Sequence, residues 1–228
     1  MIAVPIIIWL FSIVNKVTLM LKTRILMSSL GVIICGISVG MFRTASLGVD
    51  PFQSLMSGLN SVIPISFGTL YVIANAVLLL FSLILDRHKI GLATLINLTL
   101  LGYAAEYSQK LFVFLLPDIT FIPALLLLAA AIVVMCFASA LYFNADLGVS
   151  TYDAVSLIIS EKQSKVSFKI CRIISDLFCV SLGVLLCRLS GMSWGGIGGV
   201  VGIGTIITAF FMGPLISFFS GLLPLKKD

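Results

Sequence analysis

Leu47-Gly48-Val49-Asp50-Pro51-Phe52-Gln53 returns a hundred residues later as Leu147-Gly148-Val149-Ser150-Thr151-Tyr152-Asp153. Two further blocks keep the same order. Ile65-Ser66-Phe67 returns as Val166-Ser167-Phe168, offset by 101. Ile90-Gly91-Leu92-Ala93-Thr94-Leu95-Ile96 returns as Val201-Gly202-Ile203-Gly204-Thr205-Ile206-Ile207, offset by 111, and Gly102 falls on Gly213. Such ordered self-similarity marks a duplicated unit. The growth in offset is taken up around residues 188–196.

Each copy of the turn lies among long apolar segments. The first half has 25–44, 66–85 and 90–116; the second has 123–143, 167–189 and 195–223. Runs of roughly 20 apolar residues are long enough to cross a hydrocarbon core of about 30 Å. After each turn comes a shorter segment, 50–63 and 151–160. The first reads as an amphipathic helix, with Phe52, Leu55, Met56, Leu59, Val62 and Ile63 on one face and Gln53, Ser57, Asn60 and Ser61 opposite. Asp50 suits the N-cap and Pro51 the first helical position. This helix covers only about 21 Å, too short to cross easily.

Composition agrees. The 228 residues are 60% hydrophobic and only 10% charged, with a mean hydropathy of +1.22. A water-soluble domain of this size exposes too much surface to hide that much apolar area. This composition excludes a nucleic-acid reader, a secreted disulfide scaffold and a soluble enzyme domain. The expected fold is an all-α polytopic membrane protein with six long transmembrane helices and two short broken or re-entrant helices, arranged as two structural repeats. Residues 1–24 form an interfacial N-terminal segment or partial span, 25–116 the first repeat, 123–223 the second and 224–228 a cytoplasmic tail.

The net charge of +5 lies mainly in short polar loops, a positive-inside signature and not a nucleic-acid footprint. If the short helices turn back, each half crosses three times and the halves are inverted, with 11 Lys and Arg inside and three outside. If they cross, the halves are parallel, with ten inside and four outside. Charge barely separates the two; helix length favours inversion.

Ionisable groups inside spans are costly and are functional suspects. Arg172 and Asp176 stand one turn apart in the fifth span, where they can form a structural pair or contact a substrate or ion. The matching position in the first half is Asn75. Around the turns stand Arg43, Gly48, Asp50, Asn144, Asp146, Gly148 and Asp153. Gly48 and Gly148 let the chain break and restart, and each new helix presents free N–H groups that suit an anion. Glu106 and Lys110, also one turn apart, read as a structural pair. The five cysteines lie in apolar runs without metal spacing, and the single histidine, His88, sits in a loop. The glycine run 195–204 departs from the dinucleotide pattern GxGxxG and reads as close helix packing. No catalytic motif and no cofactor motif is present, so a non-enzyme without cofactors is expected.

The turn at 47–53, the Ser66-Phe67-Gly68-Thr69 helix start, the Ile90-Gly91-Leu92-Ala93-Thr94 block and Gly202-Ile203-Gly204-Thr205 with Gly213-Pro214 together resemble the YczE/YyaS/YitT family of bacterial multi-span membrane proteins. The resemblance covers residues 25–223. In that family the turn often reads LGxxPWD. Here Phe52 and Gln53 replace the Trp and Asp, and the second copy keeps Asp153 but has Thr151 for the proline. The resemblance implies a location in the bacterial cytoplasmic (inner) membrane and a loosely assigned transport role. The expectation is therefore a small secondary transporter with a site between the halves, taking a small anionic or polar substrate. The alternative is a non-catalytic scaffold or accessory protein that binds partner proteins. The surrounding partner is the lipid bilayer, and glycine-rich faces permit a homodimer.

Overall fold

The computed structural model describes the backbone of residues 3–86, 90–162 and 168–223, and side chains from residue 20 onward apart from 157, 168 and 169 within those ranges. The His88 loop, the Val166-Ser167 copy and the 224–228 tail lie outside the described residues. Among the described residues there are nine helices: α1 (Ala3–Ala45), α2 (Pro51–Val62), α3 (Phe67–Leu85), α4 (Leu92–Leu115), α5 (Phe121–Asn144), α6 (Thr151–Lys162), α7 (Phe168–Leu189), α8 (Trp194–Val200) and α9 (Ile203–Leu222).

Local chemistry sets the boundaries. The Asp50 carboxylate accepts the Gln53 N–H at 3.1 Å, with Pro51 opening α2. The Ser66 hydroxyl accepts the Thr69 N–H at 3.2 Å and starts α3. α1 runs unbroken through residue 25, and its Met20–Ala45 stretch is a candidate membrane span. Among the described residues, five stretches are long and apolar enough to cross a membrane: Met20–Ala45, Phe67–Leu85, Phe121–Asn144, Ile170–Leu189 and Trp194–Leu222. α4 is long enough but more polar. It packs against both α1 and α3 and buries Asn97 and Ser108, which shields part of its polarity, while Thr99, Tyr103, Tyr107 and Lys110 stay exposed. On α3, by contrast, Ile73, Val77, Leu80 and Ile84 form an exposed apolar stripe, which suits lipid as the outer solvent.

One expectation needs correcting. The stretch 195–223 is not one rod: it breaks at Val201-Gly202 into α8 and α9. The Gly202 backbone is extended, the Thr205 hydroxyl accepts its N–H at 3.3 Å, and the next free N–H, on Gly204, turns to the Leu47 carbonyl at 2.8 Å. The glycine run therefore supplies a break into which the distant 47–49 turn docks.

The directions of the long helices are set by their contacts. α1 and α4 run parallel: Gly36 faces Leu101 and Ala104, Gly40 faces Ser108 and Gln109, and the Ser108 hydroxyl donates to the Ile37 carbonyl at 2.9 Å. α3 runs against α4, with Gly68 on Tyr103 and Tyr71 on Gly102. α5 runs against α1, with Gly31 on Ala138 and Tyr142 and the Ser38 hydroxyl donating to the Ala131 carbonyl at 2.7 Å. α9 runs parallel to α5, with Gly204 beside Leu128 and the Cys136 thiol 3.9 Å from the Met212 carbonyl. Small residues at these crossings allow close backbone approach, as membrane helix packing requires. The short helices cross over: α2 packs on α7, and α6 on α3.

Candidate functional site

The two turns share one backbone conformation. Ser46 and Asp146 both have φ of 51°, and Gly48 and Gly148 have φ of 104° and 109°. The latter region is open to glycine and strained for other residues. Each turn docks on the start of a helix in the other half. The Gly48 and Val49 N–H groups donate to the Gly199 and Val200 carbonyls, both at 3.0 Å, beside the Gly204–Leu47 bond. At the other turn, the Leu147 carbonyl accepts the Ala93 N–H at 3.0 Å and the Val149 carbonyl accepts the Thr94 hydroxyl at 2.6 Å. Ala93 and Gly204 stand at the 111-residue offset read from the sequence.

This crossed docking brings the first turns of α2 and α6 together. The Phe52 and Tyr152 rings stack with centroids 4.9 Å apart, and Tyr71 meets Phe52 edge-on at 5.9 Å. Aromatic contacts of this kind add to simple burial. Arg172 lies over the Tyr152 ring at 4.5 Å. Its guanidinium pairs through Nη1 with Asp153 and through Nε with Asp176 at 3.3 Å. The Ser150 hydroxyl donates to Asp153 Oδ2 at 2.6 Å and the Tyr152 hydroxyl to Asp176 Oδ1 at 2.7 Å. The Thr151 hydroxyl donates to the Asn75 side-chain oxygen, and the Asn75 amide donates to the Tyr71 carbonyl at 2.8 Å. The set holds one cation and two carboxylates between α3, α6 and α7. Asp153 also stands in the first turn of α6, where the helix dipole favours an anion.

Of the residues singled out from the sequence, Asn75, Asp153, Arg172 and Asp176 converge here. Asp50 caps α2 and lies within electrostatic range of Arg172 and Asp176. Gly48 and Gly148 form the turns. Asp146 lies outside the cluster, 87% exposed and 3.9 Å from Arg24. Asn144 ends α5, with its amide nitrogen buried and unpartnered. Arg43 is separate too, over the Phe67 ring at 3.8 Å. Glu106 and Lys110 pair at 2.8 Å, and the second Glu106 oxygen accepts the Gly68 N–H at 2.9 Å.

The sequence reading missed Phe52, Tyr152, Thr151 and Tyr71 as members of the site. A signal was available: Phe52 and Tyr152 share an aromatic position in the two turn blocks, and Tyr71 precedes Arg172 by the offset of 101 that relates Asn75 to Asp176. Among the described residues no group of three or more His, Cys, Asp or Glu could hold a metal ion.

The chain is similar over most of its length to three proteins of undetermined role. An uncharacterized protein of Haemophilus influenzae is 25% identical over 191 residues, 83% of this chain and 80% of that protein. The uncharacterized membrane protein YczE of Bacillus subtilis is 24% identical over 204 residues, covering 89% of this chain and 87% of YczE. The uncharacterized protein YyaS of the same organism is 24% identical over 194 residues, covering 83% and 89%. No solved structure matches the chain. A family profile described as a family of unknown function, DUF6198, matches residues 22–221. With its apolar helices and its likeness to a membrane protein, the chain is a multi-pass membrane protein, and it belongs to the DUF6198 family.

Proposed function

We propose that this protein is a small secondary transporter of the bacterial cytoplasmic membrane, without enzymatic activity, built from two inverted copies of one unit. The parallel run of α1 and α4, with α3 opposed, supports a short helix that returns to the face it left. The observation that carries the reading is the meeting of the two short helices at their first turns, with Arg172, Asp153 and Asp176 held at that junction. Broken helices at matching places in two halves are the best pointer to a transport site. One guanidinium among two carboxylates leaves an excess negative charge that a proton or small cation can neutralise. The Arg172 guanidinium can exchange a carboxylate for an anionic substrate group. The halves then rock about the Phe52–Tyr152 stack.

Single cysteines at Asp50→Cys and Asp153→Cys test this in membrane vesicles with an impermeant maleimide. A transporter gives labelling at each position from one face at a time. Failure of both positions to label from either face removes the water-filled path. A second reading, a scaffold that binds partner proteins, is favoured by the closure of the charge set on itself, since Arg172 is shared between two carboxylates.

A further inference from the structure

A cavity of about 250 Å³ lies at the C-terminal end of α1, away from the Arg172 set. It is lined by Arg43, Ser46 and Val49, by Ser57, Asn60 and Ser61 of α2, by Gln109 of α4, and by residues of the 192–200 segment. It belongs to both halves of the sequence. Among the described residues that line it, none is acidic and Arg43 is the one cation. Its Nη1 is buried with no hydrogen-bond partner, and its guanidinium rests on the Phe67 ring. The nearby Glu106 carboxylate is engaged by the Gly68 N–H and by Lys110.

Arg43 is half-buried with its Nη1 shut off from solvent, and although Glu106 lies within electrostatic range no carboxylate is ion-paired with it; desolvation of a cation is normally offset by such a pair. The polar lining matches an anion. The Asn60 amide donates one hydrogen to the Ile65 carbonyl at 2.8 Å and retains a second. Ser57 and Gln109 also line the space, and both carry side-chain donors. The Ser46 and Ser61 hydroxyls are already spent on the Arg43 and Gly58 carbonyls, at 3.1 and 2.7 Å. The volume lies below the range of about 300–1,000 Å³ typical of sites for drug-sized ligands, so the occupant is small.

We propose that this cavity binds a small oxyanion, a phosphate or carboxylate group, through Arg43, with Ser57, Asn60 and Gln109 as hydrogen-bond donors. The site does not depend on the ligand crossing the membrane. A free ion or the headgroup of an anionic lipid can supply the group.

The test uses the full chain purified in detergent and reads thermal unfolding. The probes are sodium phosphate and sodium acetate against sodium chloride at constant ionic strength. A parallel arm compares nanodiscs with and without phosphatidylglycerol. The expected result is stabilisation of the wild type by an oxyanion, with affinity weakened about 10- to 100-fold in R43Q, as fits the loss of charged hydrogen bonds. Stabilisation in the phosphate or acetate arm supports a free oxyanion; stabilisation by phosphatidylglycerol alone, lost in R43Q, supports the same site filled by a headgroup. If R43Q fails to fold, Q109A and S57A replace it, with a smaller weakening expected. Equal stabilisation of wild type and variants, or none of the wild type in either arm, overturns the proposal.

Discussion

Gly48→Val and Gly148→Val are each expected to destabilise the protein by about 2–6 kcal/mol, enough to abolish recovery of folded material. Two costs combine. Positive φ near 104° and 109° is strained for valine, by about 1–3 kcal/mol. A Cβ on Gly48 would meet the Gly202 nitrogen at 2.6 Å, and one on Gly148 the Gly91 nitrogen at 2.6 Å. Those atoms are backbone and cannot swing aside, so overpacking adds about 1–3 kcal/mol. Gly213→Ala is the control, because nothing lies within 4 Å of its Cβ position. Detergent unfolding and size-exclusion profiles read the result. Valine tolerated at either turn means that the turn does not dock on the other half.

Arg172→Met is expected to cost about 3 kcal/mol, near the low end for breaking a buried pair because the arginine side chain is 34% exposed. Removing the guanidinium leaves Asp153 and Asp176 without the cation they share. The triple variant R172M/D153N/D176N removes all three charges and is expected to recover most of that loss, since replacing a whole charge set is often neutral. Thermal unfolding of the single and triple variants measures both. A triple variant as unstable as R172M would show that the charges are not the source of the loss. For function, a scaffold survives the triple replacement, whereas a transporter that uses these groups does not.

Much of this architecture is written locally. The turns are legible because glycine at 48 and 148, and a capping side chain at Asp50, are short-range signals tied to backbone geometry. The long helices are legible because lipid demands unbroken apolar runs, and three sequence blocks recur in the same order at similar spacing. The break at Val201-Gly202 was hidden because glycine-rich apolar sequence serves equally for a packed rod or a turn, and the deciding bond comes from Leu47 in the other half. α4 is apolar enough in sequence to pass for a span like the rest, and the burial of its Thr94, Asn97 and Ser108 depends on neighbours that only the fold names. Pairing partners were the least visible part. Arg172 and Asp176 advertise each other one turn apart, yet the link to Asp153 depends on how α6 meets α7. Arg43 lies beside the first turn, as its place in the sequence suggests, and shares a cavity with Ser46 and Val49, but its guanidinium rests on Phe67 and takes no part in the Arg172 set.

The inverted arrangement requires each short helix to leave and return to one face of the membrane. Single cysteines at the exposed positions Ser46→Cys and Ser66→Cys bracket α2, and Asp146→Cys and Glu161→Cys bracket α6. Labelled with an impermeant maleimide in sealed vesicles of known orientation, positions 46 and 66 should react from one face and 146 and 161 from the opposite face. Reaction of 46 and 66 from opposite faces would mean that α2 crosses the bilayer, and would contradict the inverted arrangement.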